Sequence, residues 1–287
     1  MPNWLVHHPL VLRGAQAAIV SAIAMTVALA GRGQGILLVG QTLVALVRGI
    51  VQIVLVGLVL VWLLPKPPIV SVPVLGIMIL LAAFIAGRRA RKTPGAFGAA
   101  LWGICLGSAV MIALMGLIGA IRFSVEEMVP IGSMLIANTM NTAAQALERF
   151  RSDVAAQVGR IEAALALGAE PSGTVSAYVG AAAEAAMIPR VDNLASLGIV
   201  WIPGLMAGML VQHGSPIEAA IYNFSVIAMI YASAGIAATA SLSVVRKRAF
   251  SSAGQLLIRP IEVVKKSRKI SGKKTDHHGD TEARRRA

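Results

Sequence analysis

The sequence predicts an all-α, polytopic membrane protein with about seven transmembrane helices and a cytoplasmic helix–turn–helix segment. Three observations predict this class. Of the 287 residues, 56% are hydrophobic and 14% charged, with a mean hydropathy of +0.75; a soluble domain of this size needs far less apolar surface. Runs of about 20 apolar residues, the length that crosses a bilayer, recur throughout. Basic residues gather in short loops and at the C-terminus: 13 of the 26 Lys and Arg follow Val245, the positive-inside pattern.

Taken in order, residues 1–9 are polar, with Trp4 placed to anchor at an interface. The first span covers about Leu10 to Ala30. A cleaved signal peptide ending near Ala28-Leu29-Ala30 is the rival reading there, although a continuing multi-span pattern needs none. A second span, about Leu43 to Leu64, carries Arg48 and Gln52 and leaves through Pro65-Lys66-Pro67-Pro68. The third runs from about Ile69 to Ala86, and the basic cluster Arg88, Arg89, Arg91, Lys92 behind it marks a cytoplasmic loop. In the fourth, about Phe97 to Ile121, Gly103 and Gly107 form a small-xxx-small pattern that lets helices approach closely. An acidic outer loop with Glu126 and Glu127 precedes the fifth span, about Met128 to Leu147. A sixth, about Leu194 to Val211, contains Pro203-Gly204; the turn Gln212–Pro216 leads into the seventh, about Ile217 to Val245. Seven spans ending in Arg246-Lys247-Arg248 put the C-terminus in the cytoplasm. The transmembrane domain is thus expected over 1–248. The tail 249–287 carries 10 of those Lys and Arg against four acidic residues, Glu262, Asp276, Asp280 and Glu282, so it reads as basic solvated chain near anionic headgroups.

Between the fifth and sixth spans, 148–192 is the one long stretch that cannot sit in lipid. Ser152 is placed to cap a helix starting near Asp153. Val154, Val158, Ile161 and Leu165 follow at spacings of three and four, an apolar stripe. Gly168 supplies a left-handed helix end, and Pro171 suits the first turn of the next helix. That Ala-rich second helix is expected to stop before Pro189.

Several chemistries are absent from the motifs. There is no G-x-x-x-x-G-K-[ST] loop for ATP, no H-E-x-x-H and no G-x-S-x-G, and His7, His8, His213, His277 and His278 lie in terminal or loop segments. The single cysteine, Cys105, excludes an intrachain disulfide. No aromatic residues accompany the basic tail, which argues against nucleic-acid binding. No catalytic constellation and no cofactor site is expected on this chain.

The segment EAALALG, 162–168, reads E-A-A-x-x-x-G and resembles the coupling motif of ABC-transporter permeases. In order and spacing, MVPIGSM (128–134), ANTM (137–140), IPRVD (188–192) and IPGLMAGM (202–209) resemble the FetB-like family of ABC permeases, over roughly 36–248. Its members include a bacterial iron exporter and plant proteins tied to aluminium tolerance. The resemblance implies seven helices, a second copy of the chain, and cytoplasmic ABC ATPase subunits that hold ATP-Mg. It also implies that Glu162, Ala163, Ala164 and Gly168 meet the ATPase: two alanines keep the helix thin, the glutamate offers a charge, and the glycine reverses the chain. Glu170 departs from the pattern where a Ser or Thr cap is expected before Pro171, and Ala182-Ala183-Glu184 stands where a more basic stretch is expected.

The fifth span is unusually polar. Met134, Asn138 and Asn141 recur at spacings of four and three, hence on one helix face, which could line a cation path. Interhelical hydrogen bonding is the alternative for these amides and the preferred reading for Thr139 and Thr142. What the family resemblance implies is an inner-membrane ABC permease, homodimeric, that exports a metal ion resembling iron; the residues themselves fix neither the ion nor the direction. An ATP-independent transporter or channel would ordinarily need ionisable groups inside the membrane, where Arg48 is the main candidate. A membrane scaffold recruiting a soluble partner is the third class.

Overall fold

The computed structural model describes residues 9–32, 39–204 and 215–259. Expectations that fall on 1–8, on 33–38, on 205–214 in the sixth span and the turn after it, and on the tail beyond 259 lie outside the described residues. The chain divides into two units, Met1–Val70 and Ser71–Ala287. In the first, α1 (Pro9–Arg32) and α2 (Val39–Leu63) lie against each other, and a 3-10 turn follows at Pro68–Val70. The second unit contains α3 (Ser71–Arg89), α4 (Ala96–Leu117), α5 (Val125–Ala156), α6 (Val158–Ala166), α7 (Pro171–Thr174), α8 (Ser176–Ala195) and α9 (Pro216–Arg248).

Five helical stretches among the described residues are long and apolar enough to cross a membrane: Gly14–Gly31, Val39–Leu63, Pro68–Arg89, Ala96–Leu117 and Pro216–Arg248. Burial within the second unit has the polarity expected for lipid. On α3 the buried residues include Ala82, Ala83 and Ala86, while Leu80, Leu81 and Phe84 are exposed. On α4, Ala99, Ala100, Gly103 and Gly107 face inward, and Trp102, Leu106 and Val110 face outward. Lipid tails solvate large apolar side chains as well as protein does, so close packing of small residues selects the inner face. The expectation for Gly103 and Gly107 is met on α9. A Cβ on Gly103 would come within 2.6 Å of the Ala237 carbonyl oxygen, and one on Gly107 within 2.5 Å of the Ser233 carbonyl oxygen.

Helix limits around the polar fifth span differ from the sequence reading. α5 starts at Val125 rather than Met128, because Ser124 is its N-cap and accepts from the Glu127 N–H at 3.4 Å. Glu126 and Glu127 therefore belong to the first helical turn, where carboxylates meet the positive end of the helix dipole. At the other end the helix does not stop at Leu147. It continues to Ala156, so Ser152 lies inside it and caps nothing. Leu147, Phe150 and Val154 are fully buried and continue the apolar seam beyond Leu147, which keeps the helix intact. At about 1.5 Å per residue its 32 residues exceed the roughly 30 Å hydrocarbon thickness.

Two further corrections follow. Pro189 does not end the second helix of the segment; α8 runs through it to Ala195. Packing of α8 against both α5 and α9, through the buried Ala182 and Ala186, outweighs the one hydrogen bond that proline removes. The sixth span does not begin at Leu194. That residue lies in the last turn of α8, which ends at Ala195, and a loop with a Leu197–Trp201 bridge and Gly198 at φ 80° follows. Past Arg248 the ordered chain also continues into a tight reversal: Ser251 N–H donates to the Gln255 carbonyl and Leu257 N–H to the Ala249 carbonyl, both at 2.8 Å. Ala249 and Ile258 are buried in the same core as Phe150, Val154, Ile161 and Val175.

Candidate functional site

Two places in the second unit combine chemistry with exposure. The first is the helix–turn–helix. α6 begins after a break at Gln157, where φ changes to −121°, and buries Val158 and Ile161 on the common core. Its C-terminus is a Schellman turn: Gly168 N–H donates to the Leu165 carbonyl and Ala169 N–H to the Ala164 carbonyl, both at 3.0 Å. Gly168 has φ 87°, the left-handed conformation that glycine adopts without a Cβ penalty. Glu162 and Ala163 are exposed, Ala164 is half-buried, and Leu167 at the tip is 89% exposed. The apolar stripe thus fixes α6 from one side and leaves a glutamate, an alanine and a leucine on the other. Pro171 opens α7 as expected, with Ser172 Oγ donating to the Glu170 carboxylate. Pro171 also lies 3.6 Å from the position of a Cβ on Gly254, so the post-248 reversal sits directly against the segment.

The second place is a cavity of about 210 Å³ between α5, α8, α9 and the Leu197–Trp201 turn, lined by Met134, Asn138, Arg190, Asn193, Trp201, Tyr231 and two isoleucines of α9. Met134 and Asn138 come together here. Asn141 does not line the cavity; its Oδ1 accepts from Arg89 Nη1 at 3.4 Å, and Arg89 also pairs with Glu148 at 3.5 Å. The shared helix face holds, but the neighbouring element changes from α8 to the end of α3 one turn further along.

Thr139 and Thr142 also differ from interhelical glue in one case. Thr139 Oγ1 donates within its own helix, at 3.0 Å to the Leu135 carbonyl and 2.9 Å to that of Ile136. Thr142 does both: it donates to the Asn138 carbonyl at 2.9 Å and accepts from Arg190 Nε at 3.1 Å. Asn138 Nδ2 donates to the Met134 carbonyl at 2.8 Å. Arg190, the residue that sequence reasoning did not single out, is therefore held by a relay that begins on α5. Partial burial lowers its pKa, yet a guanidinium remains a cation at neutral pH. The only sequence signal for it was an arginine directly after Pro189, within a motif read for its order and not for its charge.

Among the described residues, no three His, Cys, Asp or Glu side chains come together to hold a metal ion.

A model of UPF0014, described as an uncharacterised protein family, matches residues 15–250. A UPF0014 membrane protein of Synechocystis is 32% identical over 232 residues, 78% of this chain and 89% of that protein. The protein of Arabidopsis thaliana called ALUMINUM SENSITIVE 3 is 30% identical over 62% of this chain and 66% of its own length. A protein of Escherichia coli K12 described as a probable iron export permease, FetB, is 25% identical over 75% of this chain and 83% of that protein. No solved structure matches.

Proposed function

Because the chain belongs to the UPF0014 family of membrane proteins, we propose that it is the permease subunit of an ABC-type exporter of a metal ion resembling iron. Two copies would form the translocation unit in the inner membrane, with C-termini in the cytoplasm. ATP and magnesium would be held by a separate ATPase subunit. The observation that carries this reading is the shape of the helix–turn–helix: α6 is pinned through Val158 and Ile161 and ends in an exposed tip at Leu167 and Gly168. A thin, projecting helix with a rigid base suits insertion into a groove on a partner. The FetB relative's description as an iron export permease supports the cargo, and the polar cavity on α5 supports a path for it.

The direct test is affinity purification of the full chain from its native host in mild detergent. A P-loop ATPase should be recovered in a 1:1 ratio; its absence, with the permease dimeric and folded, would overturn the reading.

Asn138→Leu is expected to leave membrane insertion and ATPase recovery intact and to reduce transport. Leu retains the bulk but removes the amide from the cavity and its bond to the Met134 carbonyl. Asn141→Leu should have the smaller transport effect, since Asn141 contacts Arg89 instead of the cavity. ATP-dependent uptake of radioactive iron into inverted vesicles measures both; equal, wild-type rates would remove the cavity from the path.

A further inference from the structure

Resting on the permease reading above, we propose that the cavity at Asn138 and Arg190 recognises a cargo through an oxyanion, a carboxylate or phosphate group. A metal crossing here would then travel as an anionic complex and not as a bare cation.

The argument starts from charge. Arg190 is the one charged side chain among the described residues that line the cavity, and it takes part in no ion pair among them. A partly buried cation without a carboxylate is costly, and an unpaired charge in a cleft is a candidate for ligand binding. Its Nε is occupied by Thr142 Oγ1. Thr142 in turn spends its proton on the Asn138 carbonyl, so its oxygen is left to accept. That relay fixes the guanidinium and leaves its two terminal nitrogens without a hydrogen bond among the described residues. A planar pair of N–H donors matches a carboxylate or phosphate in two parallel bonds.

The remaining lining agrees. Asn193 and Tyr231 add neutral groups that can donate to an oxyanion, and no acidic side chain is among the described residues that line the space. Trp201 and the isoleucines of α9 form apolar walls, which strengthen a charge–charge contact relative to water. The cavity, about 210 Å³, holds the equivalent of several waters, enough for a small acid group. For a bare divalent cation the same walls act against binding, because they strengthen its repulsion by Arg190.

The experiment is equilibrium binding to the full chain in phosphatidylcholine nanodiscs, without ATPase, so its outcome is separate from the copurification test. The probes are labelled citrate, inorganic phosphate, and manganese(II) alone. Saturable binding of citrate or phosphate is expected, and which of the two binds more tightly identifies the oxyanion. Arg190→Gln should weaken it about tenfold or more, the loss of a charge-assisted pair, and Arg190→Lys by less, since the charge remains but the planar fork is lost. Should Arg190→Gln fail to fold, Asn193→Leu with Arg190→Lys carries the test, each lowering anion affinity several-fold. Manganese binding without an anion, anion binding unchanged in the Arg190 variants, or no anion binding at all would overturn the proposal. So would displacement of citrate by phosphatidylglycerol in the disc, which would assign the site to a lipid headgroup instead of cargo.

Discussion

Gly168→Val is expected to abolish stimulation of the partner ATPase while the permease still inserts in the membrane. The reason lies in the backbone. Gly168 has φ 87°, and a Cβ built there would meet nothing within 4 Å. No clash is involved, so the substitution isolates conformational strain. A β-branched residue in this region costs about 1–3 kcal/mol, and the turn escapes that cost by opening. Opening breaks the bonds from Gly168 and Ala169 to the Leu165 and Ala164 carbonyls and moves the exposed tip. Gly168→Asn is the control, because asparagine tolerates the left-handed region; it should retain most coupling. Glu162→Lys should give an intermediate loss, since exposed ion pairs contribute only about 0–1 kcal/mol and its effect comes from repelling a basic partner. ATP hydrolysis by the reconstituted complex measures all three. Equal activity in the Val and Asn variants would mean that the turn is not what the partner reads.

The double variant Gly103→Val/Gly107→Val should lose the folded membrane domain. Beside the Ser241 hydroxyl, the obstacles to the new side chains are the Ala237 and Ser233 carbonyl oxygens, main-chain atoms of α9 that have no alternative rotamer. The helices must separate, and overpacking of this kind costs about 1–3 kcal/mol per site. Separation also exposes the Ala99, Ala100, Ala237 and Ala238 seam. Gly180→Ala on α8, where a Cβ meets nothing within 4 Å, should be neutral. Size-exclusion profiles and melting temperatures in detergent distinguish the two; a normal melt for the double variant would show that α4 and α9 do not depend on this contact.

The elements most readable from sequence were those governed by a single local cause. Gly168 had no competing role, so the left-handed turn followed from residue type and position. The small pair Gly103 and Gly107 likewise implied a close helix contact, although only the structure gives α9 as its partner. Ser152 and Pro189 misled for the opposite reason. Both are local stop or start signals: Ser152 sits between the buried Phe150 and Val154, and Pro189 follows the buried Ala182 and Ala186 on a helix that continues to Ala195. Tertiary packing outweighs a cap worth about 1 kcal/mol. The cavity was half legible. Met134 and Asn138 follow from helical periodicity, whereas Arg190 and Asn193 reach them from a stretch about 50 positions along the chain, a proximity that no periodicity encodes.

The uninterrupted course of α5 has a mechanical consequence. Asn138 at the cavity and Val154 in the core that seats α6 belong to one helix with no break between them. Sixteen residues of helix separate them by about 24 Å. A beam of that length needs little angular input: a tilt of about 5° pivoting at Val154 displaces Asn138 by about 2 Å, enough to break a hydrogen bond. Work done at the exposed tip would reach the cavity as leverage, with no break between Val154 and Asn138 in which to dissipate.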